Sequence, residues 1–388
     1  MIGVIPSCEA APAAEKAGPA AAPSPAAKNS EDPRVRQRAA ELAASLDRKK
    51  LAAQVILTAV EGRGSVPPRT RELLSEIPAG GIMLFSRNVS QDPENSRTFI
   101  GALVQCVASL SVPPFIASDQ EGGRVQRFRD KAALPPPLSY WENFQKAATE
   151  AGGAGKNSVE RRATILAVEN NAALAGRELR RLGVNLNLAP LAEPLTAENS
   201  PFIQDRSYGP SQEFTREAAA AFVRGMERVG VACTLKHFPG NSGADPHRKK
   251  AELALSGTEL NALVAPFAYV IREESPAVVM LSHVIVPSWD TRPSSLSPGA
   301  VRRLRALGFN GIILADDFIM AAAGDLVEVC AVKALKAGVD MIMAWPADLR
   351  KIHQALLAAL DGGDLTEERL REAAERILYQ KIRYGLIQ

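Results

Sequence analysis

Short, almost wholly apolar runs alternate with amphipathic segments from about residue 33 onward, and this alternation constrains the fold more than any other feature. The apolar runs lie at 80–85, 114–118, 184–190, 231–235, 277–282, 311–315 and 339–344, and we expect another near Gln54–Val60. Amphipathic periodicity predicts helices at Arg34–Leu46, Arg161–Leu182, Ser211–Val229, Val327–Ala337 and Thr366–Tyr384. Apolar strands that alternate with helices indicate a parallel sheet covered on both faces.

About eight such strand–helix units predict the α/β class and a single TIM-type (β/α)8 barrel. An open, doubly wound sheet is the alternative arrangement of the same elements. No GxGxxG motif follows the first predicted strand, which weakens that alternative. We therefore expect one barrel over residues 33–388.

The composition is that of an ordinary globular chain. Hydrophobic residues make up 46% and charged residues 23% of the 388 residues. The net charge of +3 is too small to predict a nucleic-acid partner, and no apolar run is as long as a membrane span. Cys106, Cys233 and Cys330 lie in apolar segments and are expected to be buried thiols. We expect a monomer without a cofactor or metal, whose partner is a small-molecule substrate.

The first 32 residues differ from the rest because Ala and Pro dominate them. We expect this segment to be a disordered tether. The stretch VIPSC, which ends at Cys8, resembles a loose lipoprotein cleavage box, but the apolar segment before it is too short for a signal peptide. A lipid anchor at Cys8 therefore requires a start further upstream, and a plain terminal extension is the other interpretation. We slightly favour an exported, anchored protein over a cytoplasmic one.

Charged and histidine side chains follow five of the predicted strands. They are Arg87, Asp119 and Glu121, Lys236 and His237, His283, and Asp316 and Asp317. In a parallel barrel all these strand ends lie on one face, where barrel enzymes carry out chemistry. The sequence therefore predicts an active site at this face.

Asp316 is a candidate nucleophile toward a sugar C1, because a carboxylate forms an ester there that water can hydrolyse. Asp317 is more simply interpreted as a helix-capping acid. The partner acid/base could be His247, since its ordinary pKa lies near neutral pH and Asp245 could orient its ring. Glycines between Gly240 and Ala244 would let this pair move. The alternative is that Asp245 caps a turn and His247 is a surface residue.

The other polar groups suit substrate binding. Lys236 and His237, at a strand end, and Asp119 could hold substrate hydroxyls. Arg127 could reach the site or pair with a local acid, and Asp205 with Arg206 could add a polar clamp. Gly122-Gly123 permits either a close approach to ligand or a plain turn.

Four blocks of this sequence resemble the β-N-acetylglucosaminidases of glycoside hydrolase family 3. They are GGIMLFSRN (80–88), SDQEGGRVQRF (118–128), QDRSYG (204–209) with KHFPG (236–240), and LGFNGIILADDFIMAA (307–322). The resemblance runs from about Leu46 to the C-terminus, and KHFPG followed by D-x-H is specific to this subgroup. It implies a barrel that removes terminal β-linked N-acetylglucosamine with retention, typically from muropeptides in peptidoglycan turnover.

The resemblance also implies roles for individual residues. Asp316 would be the nucleophile, and His247 with Asp245 would be the acid/base dyad. The sugar-binding set would be Asp119, Arg127, Arg206, Lys236 and His237.

The loop after KHFPG departs from the family's pattern. Asn241-Ser242 stands where the family usually has His-Gly, the spacer to the Asp-x-His motif is shorter, and Pro246 separates its two members. Proline restricts its own backbone and that of Asp245. Slower turnover or an altered leaving-group preference is therefore expected.

Three other functions remain open. His237, Asp245, His247 and His283 could bind a divalent metal in a barrel hydrolase, although no H-x-H or H-x-x-x-H spacing supports it. The chain could be a catalytically weakened sugar-binding barrel. The third is a family 3 β-glycosidase or phosphorylase of other specificity. Phosphorolysis is conceivable because a histidine acid/base lacks the negative charge that would repel phosphate.

Overall fold

The computed structural model describes residues 32–151, 158–243, 251–319 and 325–388. Within these ranges, the helices α1 to α13 are Pro33–Ser45, Arg48–Gln54, Pro68–Glu76, Pro93–Cys106, Pro137–Glu150, Val159–Leu182, Ser200–Ile203, Gln212–Glu227, Gly257–Glu274, Pro298–Ala306, Val327–Ala337, Leu349–Asp361 and Glu367–Arg383. The strands β1 to β10 are Ile56–Ala59, Gly81–Leu84, Phe115–Ser118, Gln120–Gly122, Val125–Gln126, Leu186–Asn187, Ala232–Phe238, Val278–Leu281, Ile312–Ala315 and Ile342–Ala344.

Eight of these strands form one parallel sheet in the order β10-β1-β2-β3-β6-β7-β8-β9. The two ends of the sheet meet at a parallel bridge between Leu314 and Met341. There the Ala315 amide donates to the Met341 carbonyl over 3.0 Å. The sheet is therefore a nearly closed barrel, which confirms the predicted class and excludes an open sheet.

Each predicted apolar run overlaps one barrel strand, and the five predicted helices correspond to α1, α6, α8, α11 and α13. Local side chains set several helix ends. The Ser211 hydroxyl accepts from the Phe214 amide at the start of α8, and Thr366 accepts from Arg369 at the start of α13. Gly183 ends α6 with a φ of 98°, a left-handed conformation that favours glycine.

Strand β7 is longer than the apolar run that predicted it. Lys236 and His237 lie inside the strand rather than after it, because pairing continues past the last apolar residue. Lys236 bridges Leu191, and the Phe238 carbonyl accepts from the Ser282 amide over 2.9 Å. The register with β8 shifts before Phe238. Such an irregularity re-aims side chains, and here it lies where β7 reaches the C-terminal face of the barrel.

A small antiparallel hairpin, β4 and β5, follows β3 directly and carries Glu121. A Cβ at Gly122, whose φ is 114°, would lie 2.3 Å from the Pro135 carbonyl oxygen. The two glycines therefore form a tight turn packed against residues 134–136, which agrees with the turn interpretation of Gly122-Gly123.

Cys106, Cys233 and Cys330 are buried free thiols, as expected. Across the described ranges, no helix combines the length and the apolar character needed to cross a membrane.

Candidate active site

A cluster of charged side chains occupies the C-terminal face of the barrel, above β3 and β7. Lys236 Nζ lies 3.0 Å from Asp119 Oδ1 and 2.6 Å from Glu121 Oε1. Arg206 binds Glu121 with two hydrogen bonds, Nε to Oε2 at 2.8 Å and Nη2 to Oε1 at 2.9 Å. Arg127 Nη2 donates to Asp119 Oδ2 over 2.8 Å. Two carboxylates are thus shared among three cations, and we call these five residues the polar cluster.

The electrostatics of the polar cluster keep its carboxylates charged. Burial alone would raise the pKa of Glu121, but Arg206 and Lys236 more than offset this and hold it well below its usual range. Burial is likewise outweighed at Asp119, where Lys236 and Arg127 lower the pKa. Neither group can carry a proton at neutral pH, so the cluster suits binding rather than acid/base chemistry.

Lys236 is only 2% exposed, yet its ammonium has a donor to spare. An ammonium carries three N–H groups, and the contacts with Asp119 and Glu121 use two of them. The third can meet a ligand hydroxyl. The cluster therefore offers a fixed, dehydrated donor beside fixed acceptors.

Glu193 forms a second centre beside the polar cluster. Its carboxylate accepts from His237 Nδ1 at 2.7 Å and from the His237 amide at 3.1 Å. It also accepts from the Asn241 amide at 2.6 Å and from Asn241 Nδ2 at 3.0 Å. Because a carboxylate can only accept, Nδ1 carries the ring hydrogen and Nε2 is left for another partner. Glu193 thereby holds both His237 and the first residues of the segment that leads toward residue 244.

Asp316 follows β9 at the same face and is half-buried. Its Oδ1 accepts from the Asp317 amide over 2.9 Å. The structure describes no protein donor to Asp316 Oδ2. Asp317 is different, because its Oδ1 accepts from the Ile319 amide and its Oδ2 from Trp345 Nε1 at 2.7 Å. Of the two acids, Asp316 is the one with an oxygen available to a ligand.

His283 supports the backbone that carries these acids. Burial lowers its pKa, and the nearby Asp316 charge offsets this only in part. The neutral ring donates from Nε2 to the Asp317 carbonyl over 2.9 Å, so Nδ1 accepts from the Ser295 hydroxyl at 2.7 Å. A histidine bonded in this way orients Asp316 and Asp317 rather than moving protons.

An aromatic pair borders the site between β10 and β2. The rings of Phe85 and Trp345 stack with centroids 5.0 Å apart. The Arg87 guanidinium lies 4.8 Å from the Phe85 centroid and 5.1 Å from that of Trp345. We call these three residues the aromatic ledge.

The structure brings together most of the predicted site residues. Asp119, Arg127, Arg206 and Lys236 belong to the polar cluster, and His237 lies beside it on Glu193. Asp205 does not join its neighbour Arg206 there.

Asp205 instead pairs with Arg124 at 3.0 Å, and both side chains are more than a third exposed. The expected clamp therefore consists of Arg206 alone, because adjacent residues of this short 3₁₀ turn point to different partners. Asp245 and His247 lie outside the described residues.

Sequence reasoning missed several of the groups that build the site. The sequence placed Glu121 on the same face as the other candidates but not in the binding set. Its carboxylate nevertheless contacts two of the three cations, Lys236 and Arg206. Glu193 was missed, and its signal was an acid inside the otherwise apolar stretch LAPLAEPL. Phe85 and Trp345 directly follow β2 and β10. Phe85 is the last residue of its predicted run and Trp345 follows its own, so both could have been found at strand ends.

A metal centre finds no support among the described side chains, since no three His, Cys, Asp or Glu residues there are arranged to hold an ion. His237 turns its Nδ1 to Glu193, and His283 uses both nitrogens on Ser295 and Asp317. Asp245 and His247, the other members of that hypothetical set, lie outside the described residues.

Comparison with known families identifies the barrel. The model of the glycosyl hydrolase family 3 N-terminal domain matches residues 48–379. The chain belongs to glycoside hydrolase family 3. The expectations of this family and of a glycosidase are confirmed at that level.

Named relatives agree with this assignment. The chain is 37% identical to a β-hexosaminidase of Methylococcus capsulatus over 285 residues, covering 70% of this chain and 77% of that protein. It is 29% identical to β-hexosaminidase A of Pseudoalteromonas piscicida over 344 residues, covering 81% of this chain and 55% of that protein.

Solved structures show the same fold. A family 3 β-N-acetylglucosaminidase from Paenibacillus superposes with a TM-score of 0.77 at 30% identity, covering 88% of this chain and 63% of that chain. LpqI of Mycobacterium tuberculosis superposes with a TM-score of 0.72 at 26% identity, covering 87% of this chain and 95% of that chain. The chain thus spans less than two thirds of the Paenibacillus protein and nearly all of LpqI.

Proposed function

We propose that this protein is a retaining exo-β-N-acetylglucosaminidase that releases terminal β-linked N-acetylglucosamine, with peptidoglycan fragments as its substrates. Residues 33–388 would form the catalytic unit. The names of the relatives support the hexosaminidase activity. The polar cluster supports a saccharide ligand, because it offers buried donors beside two carboxylates whose pKa values are lowered.

The observation that carries the mechanism is the contrast between Asp316 and Asp317. Asp317 is anchored through both carboxylate oxygens, whereas Asp316 is held at Oδ1 alone within the described residues. A nucleophile needs one oxygen that can approach C1 while the other fixes its orientation. Asp316 meets this requirement.

In the first step, Asp316 Oδ2 forms a bond to C1 while the bond from C1 to the leaving oxygen breaks. His247 supplies the proton that this oxygen needs, and Asp245 orients the imidazole. The glycosyl ester of Asp316 remains. The polar cluster holds the sugar hydroxyls during this step, because Arg127, Lys236 and Asp119 are fixed by one another and need no reorganisation.

In the second step, water attacks C1 and His247 takes one of its protons. The ester bond to Asp316 breaks, and the carboxylate is restored. Two inversions give net retention at C1. Glu193 would keep His237 and Asn241 in place throughout, since it accepts from four donors of these two residues.

The proposal is tested with p-nitrophenyl β-N-acetylglucosaminide beside the corresponding β-glucoside and β-xyloside. We expect turnover of the first substrate alone. Asp316→Asn should lower kcat by at least about 10³-fold while N-acetylglucosamine still binds. Asp317→Asn is the matched control, and its loss should be far smaller. Equal losses in the two variants would contradict the assignment of the nucleophile.

His247 is tested by the dependence on the leaving group. His247→Ala should slow substrates with poor leaving groups by about 10²–10⁴-fold and spare aryl glycosides that need little protonation. If both kinds of substrate slow equally, His247 is not the acid. Product analysis in phosphate buffer separates hydrolysis from phosphorolysis, because only the latter yields a sugar 1-phosphate.

A further inference from the structure

We propose that the aromatic ledge is a recognition site for a carboxylate carried by the leaving sugar, with Arg87 as the specificity-determining residue. This inference rests on the proposed function and names the chemical class of its leaving group. The ledge would take an N-acetylated sugar whose ring packs on Phe85 or Trp345 and whose acidic substituent binds Arg87.

The first support is the way in which Arg87 is held. It lies in a short 3₁₀ turn, Ser86–Asn88, that follows β2. The Asn88 side chain fixes this turn, because it accepts from the Phe85 amide and donates to the carbonyls of Val60 and Gly62. The guanidinium then lies about 5 Å from two ring centroids. Arg87 is thus exposed but oriented, which lowers the entropy lost on binding.

The second support is the charge balance. Each arginine or lysine of the polar cluster is engaged with Asp119 or Glu121. Arg87 has no carboxylate partner in the described part of the chain, and it is held by the rings instead. Its five N–H groups form a planar fork that binds a carboxylate through two parallel hydrogen bonds. A carboxylate on the substrate can therefore pair with Arg87, to which the described part of the protein offers no carboxylate.

The third support is position. Trp345 Nε1 donates to Asp317, the residue after Asp316, so the ledge is tied directly to the reaction centre. On its other side, Arg127 of the polar cluster lies 5.5 Å from the Phe85 centroid. The ledge thus borders both the nucleophile and the glycone contacts, and its Arg87 is exposed. This is the place for a part of the substrate that extends out of the site.

The rings and the guanidinium of the aromatic ledge indicate which leaving sugar it would bind. Saccharides stack their apolar C–H faces on aromatic rings, and the ledge provides two rings beside one cation. N-acetylmuramic acid carries a lactyl ether that ends in a carboxylate, whereas a second N-acetylglucosamine has a hydroxyl there. The ledge therefore predicts a preference for the acidic disaccharide over its neutral counterpart.

The test compares N-acetylglucosaminyl-β-1,4-N-acetylmuramic acid with the methyl ester of its lactyl group. These substrates differ in one charge and keep the same ring contacts. We expect wild-type kcat/KM to favour the acid by about 3–10-fold at low salt, as for an oriented but exposed ion pair. This ratio should fall toward one as the ionic strength rises, because exposed charges are screened.

Arg87→Gln should bring the ratio of acid to ester close to one, and Arg87→Lys should restore only part of it. The matched control is Arg303→Gln, since Arg303 is also exposed and lies 5.9 Å from the centroid of an indole ring, that of Trp289. This control should keep the wild-type ratio.

A wild-type ratio of one, or a ratio that survives in Arg87→Gln, would overturn the inference. A binding measurement keeps it separate from the proposed function. Calorimetry on Asp316→Asn compares the Kd values of acid and ester without turnover. A preference in Kd that Arg87→Gln removes supports the ledge even if no substrate is hydrolysed, and equal Kd values refute it.

Discussion

Two buried lysines lie at opposite ends of the barrel, and their surroundings are opposite in character. Lys236, at the C-terminal face, is 2% exposed and contacts the carboxylates of Asp119 and Glu121. Lys381 of α13 is fully buried near the N-terminal ends of β1 and β3. There Nζ is 3.4 Å from Gln54 Oε1 and 5.6 Å from the Phe115 ring centroid, and the described chain offers it no carboxylate.

The two sites differ in how the buried ammonium is compensated. At the C-terminal face, the carboxylates of Asp119 and Glu121 contact Lys236 and fix its position. At the other end, burial alone lowers the pKa of Lys381 to about 7. The charged form of Lys381 is therefore destabilised by burial, and no described side chain offers it an opposite charge. The predictions below test this contrast, starting with the largest expected effect.

Lys236→Met should damage both activity and stability. The variant removes a charge-assisted donor, so kcat/KM should fall by about 10–10²-fold. It also removes the cation that Asp119 and Glu121 share. Breaking a buried ion pair lowers the free energy of unfolding by about 3–5 kcal/mol, and we expect a loss at or below the lower end of this range because Arg127 and Arg206 still pair with the two carboxylates. Steady-state kinetics and urea unfolding measure the two effects. Wild-type kcat/KM in this variant would contradict a binding role for the polar cluster.

Glu193→Gln should act mainly on kcat. The amide keeps the shape of the side chain but replaces an acceptor oxygen with a donor, so at least one contact to His237 or Asn241 becomes repulsive. We expect kcat to fall by about 10-fold with a smaller change in KM, because a misplaced His237 or Asn241 affects the reaction more than ground-state binding. A stable Glu193→Gln variant with wild-type kcat and KM would show that Glu193 has no positioning role.

Lys381→Met should have the reverse effect of Lys236→Met. An apolar side chain of similar length removes the buried charge, so the free energy of unfolding should rise by about 1–3 kcal/mol near pH 6.5. Activity should stay at the wild-type level, since Lys381 lies at the far end of the barrel. A loss of stability at that pH would show that the Gln54 contact outweighs the cost of burial.

The pH dependence of stability sharpens the same point. The pKa of Lys381 falls from 10.5 to about 7 on folding, so between these values the unfolded chain binds more protons. Wild-type stability should therefore rise with pH across this window on account of Lys381, and the full penalty applies below about pH 7. The advantage of Lys381→Met over wild type should shrink from about pH 7 and vanish near pH 10. An advantage that is constant with pH would mean that Lys381 does not titrate there.

The same contrast explains what could be predicted from the sequence. The barrel was predictable because each strand is a local apolar run, and its charged strand ends followed from the topology. The extent of β7 was not, because Lys236 and His237 interrupt the apolar pattern that marks a strand. The Glu193 contacts and the burial of Lys381 depend on packing between distant segments, as in the pair Gln54 and Lys381, which are 327 residues apart. Local patterns carry no signal for such pairs.

Among the candidate site residues, those beside predicted strands were found most easily. Asp119 and Asp316 each follow an apolar run, whereas Arg206 and Arg127 were reached only through the family resemblance and polar character. Asp205 was paired with its neighbour Arg206 by proximity in sequence, and the structure separates them because one faces Glu121 and the other Arg124.

The central claim is that Asp316 forms a covalent ester with the sugar, and trapping that ester tests it most directly. The protein is incubated with a 5-fluoro N-acetylglucosaminyl fluoride, which slows hydrolysis of the intermediate, and the adduct is mapped by peptide mass spectrometry. We predict one sugar per chain, attached at Asp316 and absent from Asp316→Asn. An adduct on another residue, or turnover of the probe with inversion and without an adduct, would contradict the account.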